Sequence, residues 1–177
     1  MLNPLTHYKE VAQASEVLLR DELELKPLTL QDAPGILAAI SDSVCEDLGA
    51  AQVTDLKQAR AFVRGEGTSH DKRYGIWLSP QQLIGSVGYG LYTNAGVQSA
   101  YISYWLSPSY HRRGLGKQTL KLLLEHLAAQ DVDTVYADVF TTNQASRALL
   151  SSMGFTCQPI EIGEMPTILR YHKSCSR

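Results

Sequence analysis

Cysteine is scarce in this chain. Cys45, Cys157 and Cys175 form an odd, scattered set without a C-x-x-C pair, which argues against a disulfide scaffold or a cysteine zinc site and fits a reducing cytoplasm. The five histidines, at 7, 70, 111, 126 and 172, include no pair three or four residues apart that could grip a metal from one helix face, so no metal is expected. No apolar run approaches the roughly 20 residues that span a bilayer, and residues 1–10 lack the basic start, apolar centre and small-residue cleavage site of a signal peptide. A charge excess is missing too. Sixteen basic against eighteen acidic side chains leave a net charge of −2, without the basic surplus of a nucleic-acid binder. Repeats, low-complexity tracts and Pro/Gly-rich linkers are also absent. What remains is 177 residues, enough for one domain that buries about 70% of its unfolded surface.

The periodicities divide the chain into short elements. Residues 5–21 are predicted as an amphipathic helix, an N-terminal extension ahead of a single domain over 22–177. Residues 22–28 alternate as a strand does, with Leu23 and Leu25 opposed to Glu24 and Lys26. A helix is predicted next, with Asp32 as its cap, Pro34 in its first turn and Ile36, Leu37 and Ile40 on its apolar face. A second helix begins at Thr54-Asp55 and runs towards Arg64. Three β-rich runs follow, over 74–78, 83–92 and 99–106, separated by turn residues and read as an antiparallel meander. From Gly114 the spacing becomes helical through Leu120, Leu123, Leu124, Leu127 and Ala128. Val135, Ala137 and Val139 then mark a strand, 143–152 a helix ended by Gly154, and 155–160 and 165–172 two last strands. The order β-α-α-β-β-β-α-β-α-β-β is that of an α/β fold with a mixed central sheet.

Chemistry concentrates in residues 104–117, Tyr-Trp-Leu-Ser-Pro-Ser-Tyr-His-Arg-Arg-Gly-Leu-Gly-Lys. A strand end, a polar loop and two glycines open a long helix, whose first amides and positive dipole end suit an anion. Arg112, Arg113 and Lys117 add full charges that complement a diphosphate. An ordinary loop with a solvated basic edge accounts for the same residues equally well. Neither G-x-x-x-x-G-K-[ST] nor G-x-G-x-x-G is present, because Thr119 stands where the latter needs its third glycine. No G-x-S-x-G elbow or Ser-His-Asp order appears.

Tyr104-Trp-Leu-Ser-Pro, Gly114-Leu-Gly116, Asn143-Gln-Ala-Ser146 and Met153-Gly154-Phe155, in that order and spacing, resemble the GNAT superfamily of N-acetyltransferases. The likeness is greatest to the branch that acetylates ribosomal-protein N-termini. It covers about residues 22–173 and is sharpest over 83–155. It implies a mostly antiparallel mixed sheet, flanked by helices and splayed between its fourth and fifth strands, which end at Leu106 and near Phe140. Acetyl-CoA is the implied co-substrate. Backbone groups of Trp105, Leu106 and Ser107 would pair with its pantetheine arm as an added strand. A bulge in the strand ending at Leu106 would aim an amide at the thioester carbonyl, an effect worth about 3 kcal/mol per donor in other acyl-transfer sites. Amides from Arg113 through Gly114, Leu115 and Gly116 to Lys117, with Arg112 beside them, would hold the diphosphate. Asn143 and Ser146 would face the pantetheine and sulfur, although a plain helix cap explains Asn143 as well.

Several positions depart from the family pattern. His111 stands where the phosphate motif usually begins with Gln or Arg. Leu150 replaces the tyrosine that many relatives use as general acid, leaving Ser146 as the candidate donor to the departing thiolate. Tyr101 replaces a strand glutamate that often serves as base. Glu46 and Asp47, in the loop expected after the first helix, are weak substitutes for it, and solvated loop carboxylates are the simpler reading. His70 reads as a surface loop residue, and Trp77 and Tyr89 as core or pocket wall. The reading is therefore a cytoplasmic N-acetyltransferase acting on a protein or peptide N-terminus or a small amine by direct attack. The resemblance also makes a homodimer the expectation. A non-catalytic acyl-CoA-binding sensor or assembly module is the rival, motivated by the missing Glu and Tyr.

Overall fold

The computed structural model describes residues 18–20, 23–68, 70–78, 81–94, 96–159 and 168–175. Eight strands form one sheet: β1 (Leu18–Arg20), β2 (Leu23–Pro27), β3 (Lys72–Leu78), β4 (Gln82–Asn94), β5 (Val97–Leu106), β6 (Thr134–Phe140), β7 (Thr156–Pro159) and β8 (Ile168–Ser174), in the spatial order β1-β2-β3-β4-β5-β6-β8-β7. All neighbours are antiparallel except β5 and β6. The helices are α1 (Ala33–Ala39), α2 (Asp42–Leu48), α3 (Leu56–Val63), α4 (Leu115–Ala128) and α5 (Gln144–Ser152).

Alternation and capping build these elements as expected, with three corrections. The predicted helix over 5–21 falls mostly outside the described residues, but Leu18–Arg20 is a strand paired with β2, covering backbone groups that an edge strand leaves open. Asp32 does not cap α1. Its carboxylate instead accepts from the Thr29 amide (2.7 Å) and hydroxyl (2.9 Å) and closes a 3-10 turn ahead of that helix. The loop expected over about residues 44–54, with Glu46 and Asp47 in it, instead begins within α2, a helix started by Ser41 Oγ accepting from the Val44 amide and stopped by Gly49 in the left-handed region at φ 61°. The cap expected for the next helix is present, with Asp55 Oδ1 accepting from the Gln58 amide at 2.8 Å.

Two apolar clusters cover the two faces of the sheet. On one face Leu115, Leu120, Leu123 and Leu127 of α4 pack against Leu23, Leu25, Ala100 and Ile102. On the other, Trp105 is buried among Ala33, Ile36, Val44, Ala59 and Val63 of α1, α2 and α3. The β4–β5 ladder runs unbroken from Asn94↔Val97 to Gly85↔Leu106, so the bulge expected in the strand ending at Leu106 is not there. The irregularity lies between β3 and β4, where Ile84 is the extra residue next to the Ile76/Trp77 step. Beside it β5 presses so close that a Cβ on Gly85 would stand 2.2 Å from the Trp105 carbonyl oxygen. Only glycine fits that crossing.

Candidate active site

The two halves of the sheet part company between β5 and β6. Their parallel pairing holds only from Ser99↔Thr134 to Tyr101↔Tyr136. Beyond it β5 stays with β4 to Leu106 while β6 stays with β8 to Phe140, so Ile102–Leu106 and Ala137–Phe140 face each other unpaired. The Ser107 amide donates to the Ile84 carbonyl at 2.8 Å, which directs odd-numbered residues of β5 at β4. Gln98, by contrast, accepts from the Asp133 amide and donates to Asp133 Oδ2 on the β6 side. Alternation therefore turns the main-chain groups of Tyr104 and Leu106 into the opening, and those of Trp105 and Ser107 away from it.

The loop after β5 leads to an anion-binding helix end. Pro108–Tyr110 makes a 3-10 turn, Arg112 takes φ 58°, and Gly114 enters α4 at φ 76° without a side-chain cap. The first bond of α4 runs from Gln118 to the Gly114 carbonyl, so the amides of Leu115, Gly116 and Lys117 have no acceptor within the helix. His111 Nε2 lies 2.9 Å from the Leu106 carbonyl oxygen. A carbonyl only accepts, so the proton sits on Nε2 and the imidazole ties the loop to the strand end. Arg112, Arg113 and Lys117 are exposed beside these amides, and the Arg113 guanidinium lies 5.5 Å from the Tyr110 ring centre. Gly116 is bare for a packing reason: a Cβ there would meet Leu149 at 3.0 Å and Leu106 at 3.7 Å.

On the far side of the opening, Asn143 Oδ1 caps α5 by accepting from the Ser146 amide at 3.0 Å. Ser146 Oγ stands 2.6 Å from the Tyr104 hydroxyl, a hydrogen bond that joins the two halves of the sheet across the opening. Burial pushes the Tyr104 phenol up to about 12, partly offset by that bond, so it stays protonated at any physiological pH. Leu150 is fully buried and brings no polar group to the site. Tyr101 stacks on Tyr92 (5.4 Å) and lies tilted against Tyr136 (5.5 Å), which also touches Tyr92 (6.3 Å). Arg170 lies 5.1 Å from the Tyr101 ring centre and is held by a two-pronged bond to Asp138 at 2.8 and 2.9 Å. Glu46 and Asp47 are exposed on α2, a helix rather than the expected loop, whose end at Gly49 abuts the Phe140 ring.

Sequence reasoning missed the Tyr104 side chain and the Asp138–Arg170 pair. Tyr104 stood in the quoted motif, but nothing local to it announces a partner 42 residues away. Asp138 alternates with Ala137 and Val139 and reads as an ordinary solvent-facing strand position. Among the described residues no group of three or more His, Cys, Asp or Glu side chains could hold a metal ion, and no helix is long and apolar enough to cross a membrane.

His70 is not the surface residue expected. It is half-buried, neither ring nitrogen has a hydrogen-bond partner among the described residues, and burial, with Arg73 second, lowers its pKa from the ordinary 6.5. The neutral ring is favoured in the folded state, so the unfolded chain takes up the proton first as pH falls below 6.5 and stability declines there. His70→Asn is expected to flatten the thermal midpoint between pH 6.5 and 5. An unchanged slope in a pH series of melting curves removes His70 as its source.

Known proteins resemble this chain in both sequence and fold. Residues 22–156, more than half of the chain, match the family model described as an acetyltransferase (GNAT) domain. The chain belongs to the GNAT acetyltransferase family. A Bacillus subtilis relative, the uncharacterized N-acetyltransferase YoaA, is 29% identical over 146 residues, covering 78% of this chain and 82% of that one. The ribosomal protein bS18-alanine N-acetyltransferase of Salmonella typhimurium is 36% identical over 62 residues, 35% of this chain and 42% of that one. Among solved structures, RimL, a ribosomal L7/L12 alpha-N-protein acetyltransferase in complex with coenzyme A, superposes with a TM-score of 0.70 at 22% identity, covering 90% of this chain and 98% of that one. This GNAT protein is thus an acetyltransferase, and its fold together with that coenzyme A-bound neighbour implies acetyl-CoA as co-substrate. The described residues fit such a donor: unpaired main chain lines the opening, and free amides with exposed cations stand at its end.

Proposed function

We propose that this GNAT enzyme transfers the acetyl group of acetyl-CoA directly to a primary amine, with the α-amino group of a protein or peptide as the acceptor class. The parting of β5 from β6 beside the open first turn of α4 carries the reading. The main-chain groups of Tyr104 and the amide of Leu106 bind the pantetheine arm as an added strand, since Trp105 spends its own groups on β4, the Ser107 amide donates to Ile84 and the Ser107 carbonyl accepts from the Tyr110 amide. The amides of Leu115, Gly116 and Lys117 hold the diphosphate, flanked by Arg112, Arg113 and Lys117, and Gly114 gives the turn its entry angle. Asn143 caps α5 through Oδ1 and keeps its Nδ2 for the pantetheine. Ser146 donates a hydrogen bond to the leaving sulfur. A ribosomal-type acceptor is supported by the names of the bS18 and L7/L12 relatives. An α-amino group, with pKa near 8, needs less help from a base than a lysine amine near 10, which suits a site where Tyr101 stands in place of the strand glutamate.

Release of free thiol from acetyl-CoA, measured with a panel of small amines and peptides of varied N-terminus, tests the reading. Turnover is expected with peptides, and Ser146→Ala is expected to lower kcat at least tenfold, about 1.4 kcal/mol, with acetyl-CoA affinity nearly unchanged. Tight binding without turnover on any acceptor favours a sensor instead. An unaltered kcat in Ser146→Ala removes the serine from the chemistry.

A further inference from the structure

We infer that Tyr104 is a positioning residue: its phenol donates to Ser146 Oγ and so turns the serine's own proton towards the sulfur that leaves the acyl donor. The inference rests on the reading of Ser146 given above and adds a second member to that device, supplied from the opposite half of the sheet.

Three observations support it. The O···O distance is 2.6 Å, and among the described residues Tyr104 is the partner found for Ser146 Oγ. A hydroxyl pair of this kind has two possible directions. A phenol is more acidic than an alkyl hydroxyl and so the better donor, which favours Tyr104 donating and Ser146 accepting. The serine hydrogen is then left to point elsewhere. Second, the serine is held in place from below, because its amide is bound by Asn143 Oδ1 at the first turn of α5. That leaves rotation about Cα–Cβ and Cβ–Oγ, and the Tyr104 bond restrains both. Third, Leu150, where relatives carry a tyrosine, is sealed in the core, so no phenol reaches the opening from α5. Tyr104 brings one from β5 to Ser146 at the start of α5.

The reaction balances without any change in either hydroxyl. The amine nitrogen forms a bond to the thioester carbonyl carbon, the carbon–sulfur bond breaks, and its electron pair goes to sulfur. The nitrogen gives up one proton to solvent, and sulfur ends with one taken from solvent. The Tyr104–Ser146 chain serves while charge sits on sulfur, when a donor polarised by a second hydrogen bond is the stronger one.

Coenzyme A itself is the probe, since its thiol reports the donor directly. In the wild type, the ultraviolet absorbance of the bound thiolate is expected to titrate at least one pH unit below the free thiol, which lies near 8.5. Tyr104→Phe keeps the ring and removes the hydroxyl. It is expected to move that titration back up by about one unit and to lower kcat about tenfold, with KM for acetyl-CoA within twofold. Adding Tyr104→Phe to Ser146→Ala is expected to cost nothing more. Unchanged thiol titration in Tyr104→Phe overturns the inference, as do fully additive losses in the double variant; in both cases the Ser146 reading stands on its own single variant. Failure of coenzyme A to bind the wild type overturns the functional reading and this inference together.

Discussion

Gly116→Glu is expected to weaken acetyl-CoA binding at least 100-fold, about 2.7 kcal/mol, in calorimetric titration. Two effects act in the same direction. The new side chain leaves the helix between Leu149 and Leu106, which flank the end of the opening, so it occupies the passage from β5 to the diphosphate site. Its carboxylate also takes the positive end of α4 that an anionic ligand needs. Gly116→Ala separates them. Its methyl crowds only the flexible tip of Leu149, which must shift by a few tenths of an ångström, and touches Leu106 at an ordinary 3.7 Å, so affinity is expected to stay within about threefold of wild type. Near-wild-type affinity in the glutamate variant means that the diphosphate is held somewhere other than the entry to α4.

The second large effect concerns the platform under that helix. Leu123 is fully buried in the cluster that joins α4 to the sheet. Leu123→Ala is expected to cost about 3 kcal/mol in denaturant unfolding and to lower the melting temperature by about 10 °C. Because Leu123 lies about two turns beyond Gly116, acetyl-CoA affinity well below the transition is expected to hold within about threefold. A loss under about 1 kcal/mol means that α4 does not carry this core. An equal collapse of affinity means instead that the phosphate site and the core fail as one unit.

Both expectations depend on features of unequal legibility. α4 could be read directly, since its leucines recur at helical spacing and its glycine pair follows a strand. The meander was equally plain, with residues 74–78, 83–92 and 99–106 all falling inside β3, β4 and β5. α2 was missed although Ser41 and Gly49 frame it, because seven residues with three charged positions give little periodicity to detect. The strand at Leu18–Arg20 was read as helix because three residues beside an edge take their conformation from the partner strand, not from their own pattern.

The sequence by itself determined the order of elements from β2 onward except α2, the amphipathic faces, the helix starts at Asp55 and Asn143, and the position of the glycine-rich turn, since each of these is encoded within a few residues of itself. Tertiary structure alone decided where β5 leaves β6, which main-chain groups face the opening, how His111 reaches the Leu106 carbonyl, and that Tyr104 meets Ser146. Those depend on register and on contacts between segments that are distant in sequence, set by how two halves of a twisted sheet diverge. Periodicity carries no information about such a divergence. A hydroxyl on a strand reads the same whether it faces water or a second hydroxyl across a cleft.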